Sequence, residues 1–297
     1  MPLNSTKRQA LFNLLCRQTS PRFTEYLRVY EHLPQPRGES FELSCELVDG
    51  VRVDSMRVAI MCLRKKEVLR WLLASNNRVP FVRDVLFDNE TDECFGIGMA
   101  DYPTGLGARR IKIYNAYKRS QVRVRKTDHI LQLCDLFNIP DNGFRKDLER
   151  FEKIELSSID WSREKKAAIK VYFGPFNSDQ LFKRFSRVFP KDEIMPYRVL
   201  CEKKLLPEVV YFTAKYSQEG HTFRVDLCNR MKDIRPYLKA FDHHQQVSGF
   251  LADFRRIFPD LHLQWISTQG AFFHKIQLYF FLGSKNKPKR PFSDQCR

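Results

Sequence analysis

Ala108-Arg109-Arg110-Ile111-Lys112-Ile113-Tyr114-Asn115-Ala116-Tyr117 reads as a β-strand with two unlike faces. Successive side chains of a strand point to opposite sides, so Arg110, Lys112 and Tyr114 share one face and Ile111 and Ile113 the other. The apolar face is suited to a core. The cationic face alone would be ordinary on a solvated surface, but the pattern returns. Ala168 to Phe173 carries Lys170 and Tyr172; Thr222 to Leu227 carries Arg224 and Asp226; His274 to Phe280 carries Lys275, Gln277 and Tyr279; and a weaker copy, Ser55 to Ile60, carries Arg57. The anchors Arg57, Lys112, Lys170, Arg224 and Gln277 lie 55, 58, 54 and 53 positions apart. Near-constant spacing over five copies marks one supersecondary unit used repeatedly.

Each copy is the second arm of a hairpin. Phe41 to Val48 alternates, Asp49-Gly50 is a strong turn signal, and Val51 to Cys62 alternates again. Further pairs are Cys94–Asp101 with the opening strand, Ser157–Trp161 with Ala167–Gly174, Val209–Ala214 with Thr222–Cys228, and Leu261–Ser267 with Phe272–Leu282. Helical periodicity is expected at 63–74, 128–137, 144–151, 179–185, 234–241 and 245–258, with a lead-in helix at 10–16. Successive hairpins in one antiparallel sheet, with all helices on one side, close into a barrel. The expected fold is α+β: a ten-stranded antiparallel β-barrel surrounded by α-helices, in a single domain over 1–297. Residues 1–40 form a lead-in and 284–297 a basic tail.

Bulk properties narrow the class. No apolar run is long enough to span a bilayer and the first residues lack an apolar signal core, so a soluble, cytoplasmic monomer with no membrane partner is expected. The 8 cysteines include no CxxC pair or zinc-ligand spacing, which predicts reduced, packed thiols. His243-His244 lacks a third ligand at metal spacing. The net charge of +16 calls for an anionic partner, a nucleic acid or a diphosphate-bearing small molecule. The basic residues are spread through every helix and turn instead of forming one stripe, and no RRM, KH, zinc-finger or helix-turn-helix pattern appears. A nucleic-acid partner is therefore not expected, though a basic nucleic-acid-binding protein stays the competing class.

In a ten-stranded barrel the Ile/Val face must meet the helices, so cations and tyrosines face a chamber that side chains alone do not fill. Converging cations need a compact multivalent counter-ion, and a diphosphate fits: Arg57 and Arg224 can grip oxygens in fork geometry while Lys112 and Lys170 act as point charges. An adjoining aromatic layer stabilises an allylic cation and keeps water away. Prenyl diphosphate ionisation is the chemistry this combination suggests.

The chain resembles the ABBA-fold prenyltransferases, and among them the cyanobactin (ribosomal cyclic peptide) prenyltransferases. The likeness covers about Phe41 to Phe281. It is carried by the order of Phe41-Glu-Leu-Ser-Cys-Glu, Arg57, Ile111-Lys-Ile-Tyr, Ile169-Lys-Val-Tyr, Tyr211-Phe-Thr, Asp226-Leu-Cys-Asn-Arg and Ile276-Gln-Leu-Tyr-Phe-Phe. It implies a magnesium diphosphate donor, with Mg²⁺ held through the diphosphate, and a cyclic or linear peptide acceptor. By this resemblance Glu42 orients or deprotonates the acceptor. Arg57, Lys112, Lys170, Arg224 and Lys275 hold the diphosphate, and Tyr114, Tyr172 and Tyr279 form a tyrosine shield. Phe212 stands at the position that limits donor length, implying dimethylallyl diphosphate; Gln277 replaces a basic residue. Asp226, where relatives can carry histidine, would join Glu42 as a second catalytic acid and favour an arginine acceptor over Tyr, Trp, His or Ser/Thr. A salt bridge to Arg224 is the competing reading of Asp226. A small-molecule aromatic prenyltransferase of the same fold is the alternative function.

Overall fold

The computed structural model describes residues 9–10, 13–14, 24, 28, 40–52, 56–74, 85–87, 93–101, 110–117, 123–162, 167–177, 180, 185–186, 188–203, 209–228, 244–259, 261–270 and 273–282. Ten long strands alternate with helices in chain order: β1 (Ser40–Val48), β3 (Met56–Arg64), α1 (Lys65–Ala74), β4 (Glu93–Asp101), β5 (Arg110–Ala116), α2 (Arg123–Leu136), α3 (Asn142–Phe151), β6 (Ile154–Ser162), β7 (Ala167–Phe176), α4 (Lys191–Glu202), β8 (Val209–Ser217), β9 (Gly220–Cys228), α5 (His244–Ile257), β10 (Leu261–Gln269) and β11 (Lys275–Leu282). A two-residue strand, β2 (Val51–Arg52), extends the first hairpin. The expected strand 51–62 corresponds to β2 and β3, with 53–55 outside the described residues. The helical patterns at 10–16, 179–185 and 234–241 fall wholly or largely outside the described residues, as do most of the lead-in and the basic tail.

Each long strand pairs antiparallel with its sequence neighbour, and β11 returns to pair with β1, Glu42 opposite Phe281 and Glu46 opposite Gln277. Closure leaves these ten strands with no free edge. The alternation sets the layers. Leu43, Cys45, Val58, Ile60, Ile97, Ile111, Ile113, Ile169, Val171, Val225, Leu227, Ile276 and Leu278 point outward and are buried under the helices. Val68, Trp71 and Leu72 of α1 and Ile130 and Leu133 of α2 meet them. Helix α4 has no counterpart among the expected helices because Pro196 lies inside it. A proline mid-helix lacks one amide donor and argues against a helix in sequence reading. Here Ile194, Pro196, Tyr197 and Leu200 form a buried face that outweighs the loss, and the Tyr197 hydroxyl bonds Thr268 Oγ1 at 2.6 Å.

Register shifts interrupt four strands at one end of the barrel, between Met61 and Leu63, Ile154 and Leu156, Phe173 and Phe176, and Leu263 and Trp265. A bulge adds one residue to one strand and flips the side-chain parity beyond it. Met61, Leu156 and Trp265 therefore gather on the inner side, while Leu63, Ile154 and Leu263 join the outer core. Among the described residues no helix is long and apolar enough to cross a membrane.

Candidate active site

The five repeat anchors come together. Arg57, Lys112, Lys170, Arg224 and Gln277, one from the second strand of each hairpin, line a single cavity of about 390 Å³. Glu42, Glu46, Asp160, Lys215 and Lys275 line it too. Lys215, Thr222, Gln269 and Lys275 sit next to hairpin turns, so the cavity reaches the turn end of the barrel.

Most of these charges are braced. Glu46 bridges two cations, Arg57 Nη2 at 2.8 Å and Lys275 Nζ at 2.9 Å. Burial pushes the Glu46 carboxyl up, but these two cations overcome it and hold it below its ordinary value. Lys170 Nζ lies 2.7 Å from Asp160 Oδ2. Burial opposes ionisation of Asp160, yet Lys170 and Lys112 keep it far below the usual carboxylate range. Arg224 donates through Nη1 to Gln277 Oε1 at 3.0 Å, and Gln277 Nε2 donates to Ser44 Oγ at 3.2 Å. Gln277 thus buttresses a cation and does not supply one. Lys112 Nζ donates to the Tyr172 hydroxyl at 2.9 Å and stands 4.3 Å above the centre of the Tyr114 ring. Burial pulls its pKa down to about 8, against the pull of Asp160 and Glu42.

Glu42 differs from the other carboxylates. It is 5% exposed and, among the described residues, accepts no hydrogen bond. Burial raises its pKa to about 7; Lys112 and Arg224 restrain the rise and Asp226 adds to it. A carboxyl poised near neutrality can take a proton from a substrate and later release it.

Beneath the cations lies an aromatic layer. Arg224 stands 5.7 Å from the centre of the Tyr172 ring and 5.9 Å from that of Tyr279. Of the three expected shield tyrosines, Tyr114 lines the open cavity; Tyr172 and Tyr279 sit lower. The layer also contains Tyr211, stacked on Trp265 at 6.0 Å, and Trp265 in turn meets Tyr279 at 6.3 Å. Neither Tyr211 nor Trp265 was among the expected site residues.

Two expected roles need correction. Phe212 does not face the chamber: it is fully buried outside the barrel, stacked on Phe151 at 4.1 Å and packed on Phe185 and Phe189. Its neighbours Tyr211 and Thr213 take the inner face, as strand alternation requires. Asp226 is not offered to an acceptor. It is 1% exposed, its two oxygens receive the hydroxyls of Thr213 and Ser267, and Arg224 Nε lies 3.2 Å away. It positions Arg224.

Magnesium favours free carboxylates and phosphate oxygens. Glu46 and Asp160 are spent on cations, Asp226 is enclosed, and no group of three metal-ligating side chains occurs among the described residues. Of the described cavity carboxylates that leaves Glu42 alone, too few protein ligands to hold magnesium without a diphosphate's own oxygens.

No protein-family model and no curated protein matches the chain. Solved structures do. NotF, crystallised with brevianamide F and DMSPP, matches with a TM-score of 0.65 and 11% identity over 97% of both chains. A 6-dimethylallyl tryptophan synthase matches at 0.59 and 11% identity, over 93% of this chain and 94% of that one. The 5-dimethylallyl tryptophan synthase from Streptomyces coelicolor, in complex with DMASPP and Trp, matches at 0.58 and 12% identity, over 97% of this chain and 96% of that one. With its ten strands closed and its helices outside, the chain has the ABBA prenyltransferase barrel fold.

Proposed function

We propose that the protein is a prenyltransferase. It takes a dimethylallyl group from dimethylallyl diphosphate and delivers it to a side chain of a cyclic or linear peptide, arginine in the first place. The observation that carries this reading is the meeting, around one cavity, of a braced cationic ring, Tyr114 in the wall with Tyr172 and Tyr279 against the cations, and a buried carboxyl without a hydrogen-bond donor. Arg57, Lys112, Lys170, Lys215, Arg224 and Lys275 hold the diphosphate and take up the charge it gains as the C–O bond breaks. The allylic cation forms over the tyrosines, out of contact with water. Glu42 removes the acceptor's proton, the freed nitrogen lone pair closes the C–N bond, and the carboxyl passes the proton to solvent. A guanidinium suits this site because it supplies the donors that Glu42 lacks. The cations serve as the diphosphate's counter-charge, so no step is assigned to magnesium.

A second reading is supported by the tryptophan bound in the Streptomyces coelicolor structure: a free aromatic acceptor in place of a peptide. Mass spectrometry separates the two. Free tryptophan and head-to-tail cyclic hexapeptides, each carrying one Arg, Trp, Tyr, His or Ser, are incubated with dimethylallyl diphosphate, with magnesium and with EDTA. One five-carbon addition on the arginine peptide is expected. Addition to free tryptophan alone would select the second reading, and no addition to any substrate would remove both. Retention of oligonucleotides in a parallel salt-dependent assay would then restore the nucleic-acid reading.

Donor length follows from the aromatic layer. Tyr211→Gly removes the ring stacked on Trp265 and lengthens the chamber at its closed end. The variant is expected to accept geranyl diphosphate, with its ten-carbon chain, at least about as well as the five-carbon donor, since a hydrophobic pocket discriminates by roughly 10- to 200-fold per methylene. Unchanged donor preference, read by competition between the two diphosphates, would contradict this.

A further inference from the structure

The cavity wall is not evenly furnished. Strand β4 reads Phe95-Gly96-Ile97-Gly98-Met99-Ala100. Its large residues Phe95, Ile97 and Met99 pack in the outer core, so within 95–100 the inward positions are Gly96, Gly98 and Ala100. Across the register, Gly98 is opposite Ala59 on β3, and Ala59 is opposite Glu42 on β1. On the other side Gly98 is opposite Lys112. A side-chain-free strip therefore lies between Glu42 and Lys112, whose Cα atoms are three strand spacings, about 14 Å, apart.

The two glycines meet different fates. A Cβ on Gly96 would lie 2.4 Å from Met61 Sδ, so the thioether lies across that position and closes the inner end of the strip. A Cβ on Gly98 would be 3.3 Å from the nearest atom, Tyr114 Cε2, and Gly98 lines the open cavity. At the outer end Ala100 also lines the cavity. The result is a shallow shelf, open at the rim, stopped at Met61 and bordered at Gly98 by the Tyr114 ring edge, with Glu42 across Ala59 from it. Such a shelf fits a thin planar group lying against backbone; a tetrahedral hydroxyl-bearing carbon gains nothing from it.

Building on the prenyltransferase reading above, we propose that the strip Ala59, Gly98 and Ala100 is the acceptor platform, and that it selects a planar acceptor group, a guanidinium or an aromatic ring. Adding bulk at Ala59 or Gly98 narrows the acceptor space between Glu42 and Lys112 without removing a cation; Ala100 lies opposite Arg57 and is left unchanged.

The test uses Gly98→Ala and Ala59→Val in the full chain, with two readouts. Inorganic diphosphate binding, by calorimetry, reads the cationic ring and confirms folding. The KM for whichever cyclic hexapeptide or free tryptophan the parent converts reads the platform. Both variants are expected to raise acceptor KM about ten-fold or more and to hold diphosphate affinity within about two-fold, by the discrimination a single added methyl gives in a fitted site. Unchanged acceptor KM in either variant, or lost diphosphate binding in either, overturns the proposal. Parent activity confined to the serine peptide removes the platform but keeps the prenyltransferase. Absence of transfer to any acceptor removes the prenyltransferase reading, and the platform with it.

Discussion

Glu42→Gln is expected to lower kcat by about 10²- to 10⁴-fold, the usual share of a positioned general base. The amide keeps the shape of the carboxyl and loses its basicity. Glu42 belongs to no ion pair or hydrogen bond among the described residues, so the fold does not depend on its charge. Diphosphate affinity should therefore persist. The pH profile gives a second readout. Glu42 must be ionised to accept a proton, so activity rises with pH through about 7. Lys112 must be charged to hold the donor, so activity falls through about 8. The parent kcat/KM should be a narrow bell, since this parameter reports groups of the free enzyme. In the variant the acidic limb should vanish and the alkaline limb remain. A variant with parental kcat, or one that keeps the acidic limb, would show that the proton goes elsewhere.

Asp226→Ala is expected to produce the largest loss of stability, about 3–5 kcal/mol, because it strands a buried cation and the Thr213 hydroxyl and leaves Ser267 only the Tyr279 hydroxyl. Arg224 has a side chain 13% exposed, and burial alone would depress its pKa; Asp226 is the main influence holding it charged. Thr213 and Ser267 lose the Asp226 acceptor in the same step. For a chain of this size the loss corresponds to a fall in Tm of roughly 6–15 °C. Diphosphate binding should weaken too, as Arg224 is freed from its orientation. Asp226→Asn keeps an acceptor for the hydroxyls and should fall between parent and alanine variant. A calorimetric melt of Asp226→Ala within 2 °C of the parent, roughly 1 kcal/mol or less, would mean that Asp226 does not brace Arg224.

Much of this architecture is legible in the chain. Alternation of Ile111 and Ile113 with Lys112 and Tyr114, repeated at near-constant spacing, carries the barrel, its inside and its outside. The cations Arg57, Lys112, Lys170 and Arg224 follow from the same parity. Parity also decides Tyr211 against Phe212, since Thr213 and Lys215 share the inner face with Tyr211; two adjacent aromatic residues conceal this. What alternation cannot supply is the bulges. Leu261, Leu263 and Trp265 have equal parity, yet the register shift before Trp265 turns it inward alone. The partners of the cations are hidden for another reason. Asp160 and Glu46 lie on inward faces, but which lysine or arginine each meets depends on cross-strand register and barrel shear. Asp226, two places from Arg224 on one face, is the exception whose pairing is local.

The pairing of β1 with β11 has a consequence for how the molecule is assembled. Glu42 and Phe281 are opposite one another yet about 240 residues apart in sequence, so the seam joins late and at a large entropic cost. During synthesis the first hairpin must wait, with β1 unpaired along one edge, until the last strand has left the ribosome. The loss of β11 would leave two open edges, and with them a route to aggregation. Glu42 acquires its burial only when that seam closes. On the proposed mechanism, turnover would therefore report completed folding, because a chain whose β1–β11 seam is open lacks the buried carboxyl assigned as its base.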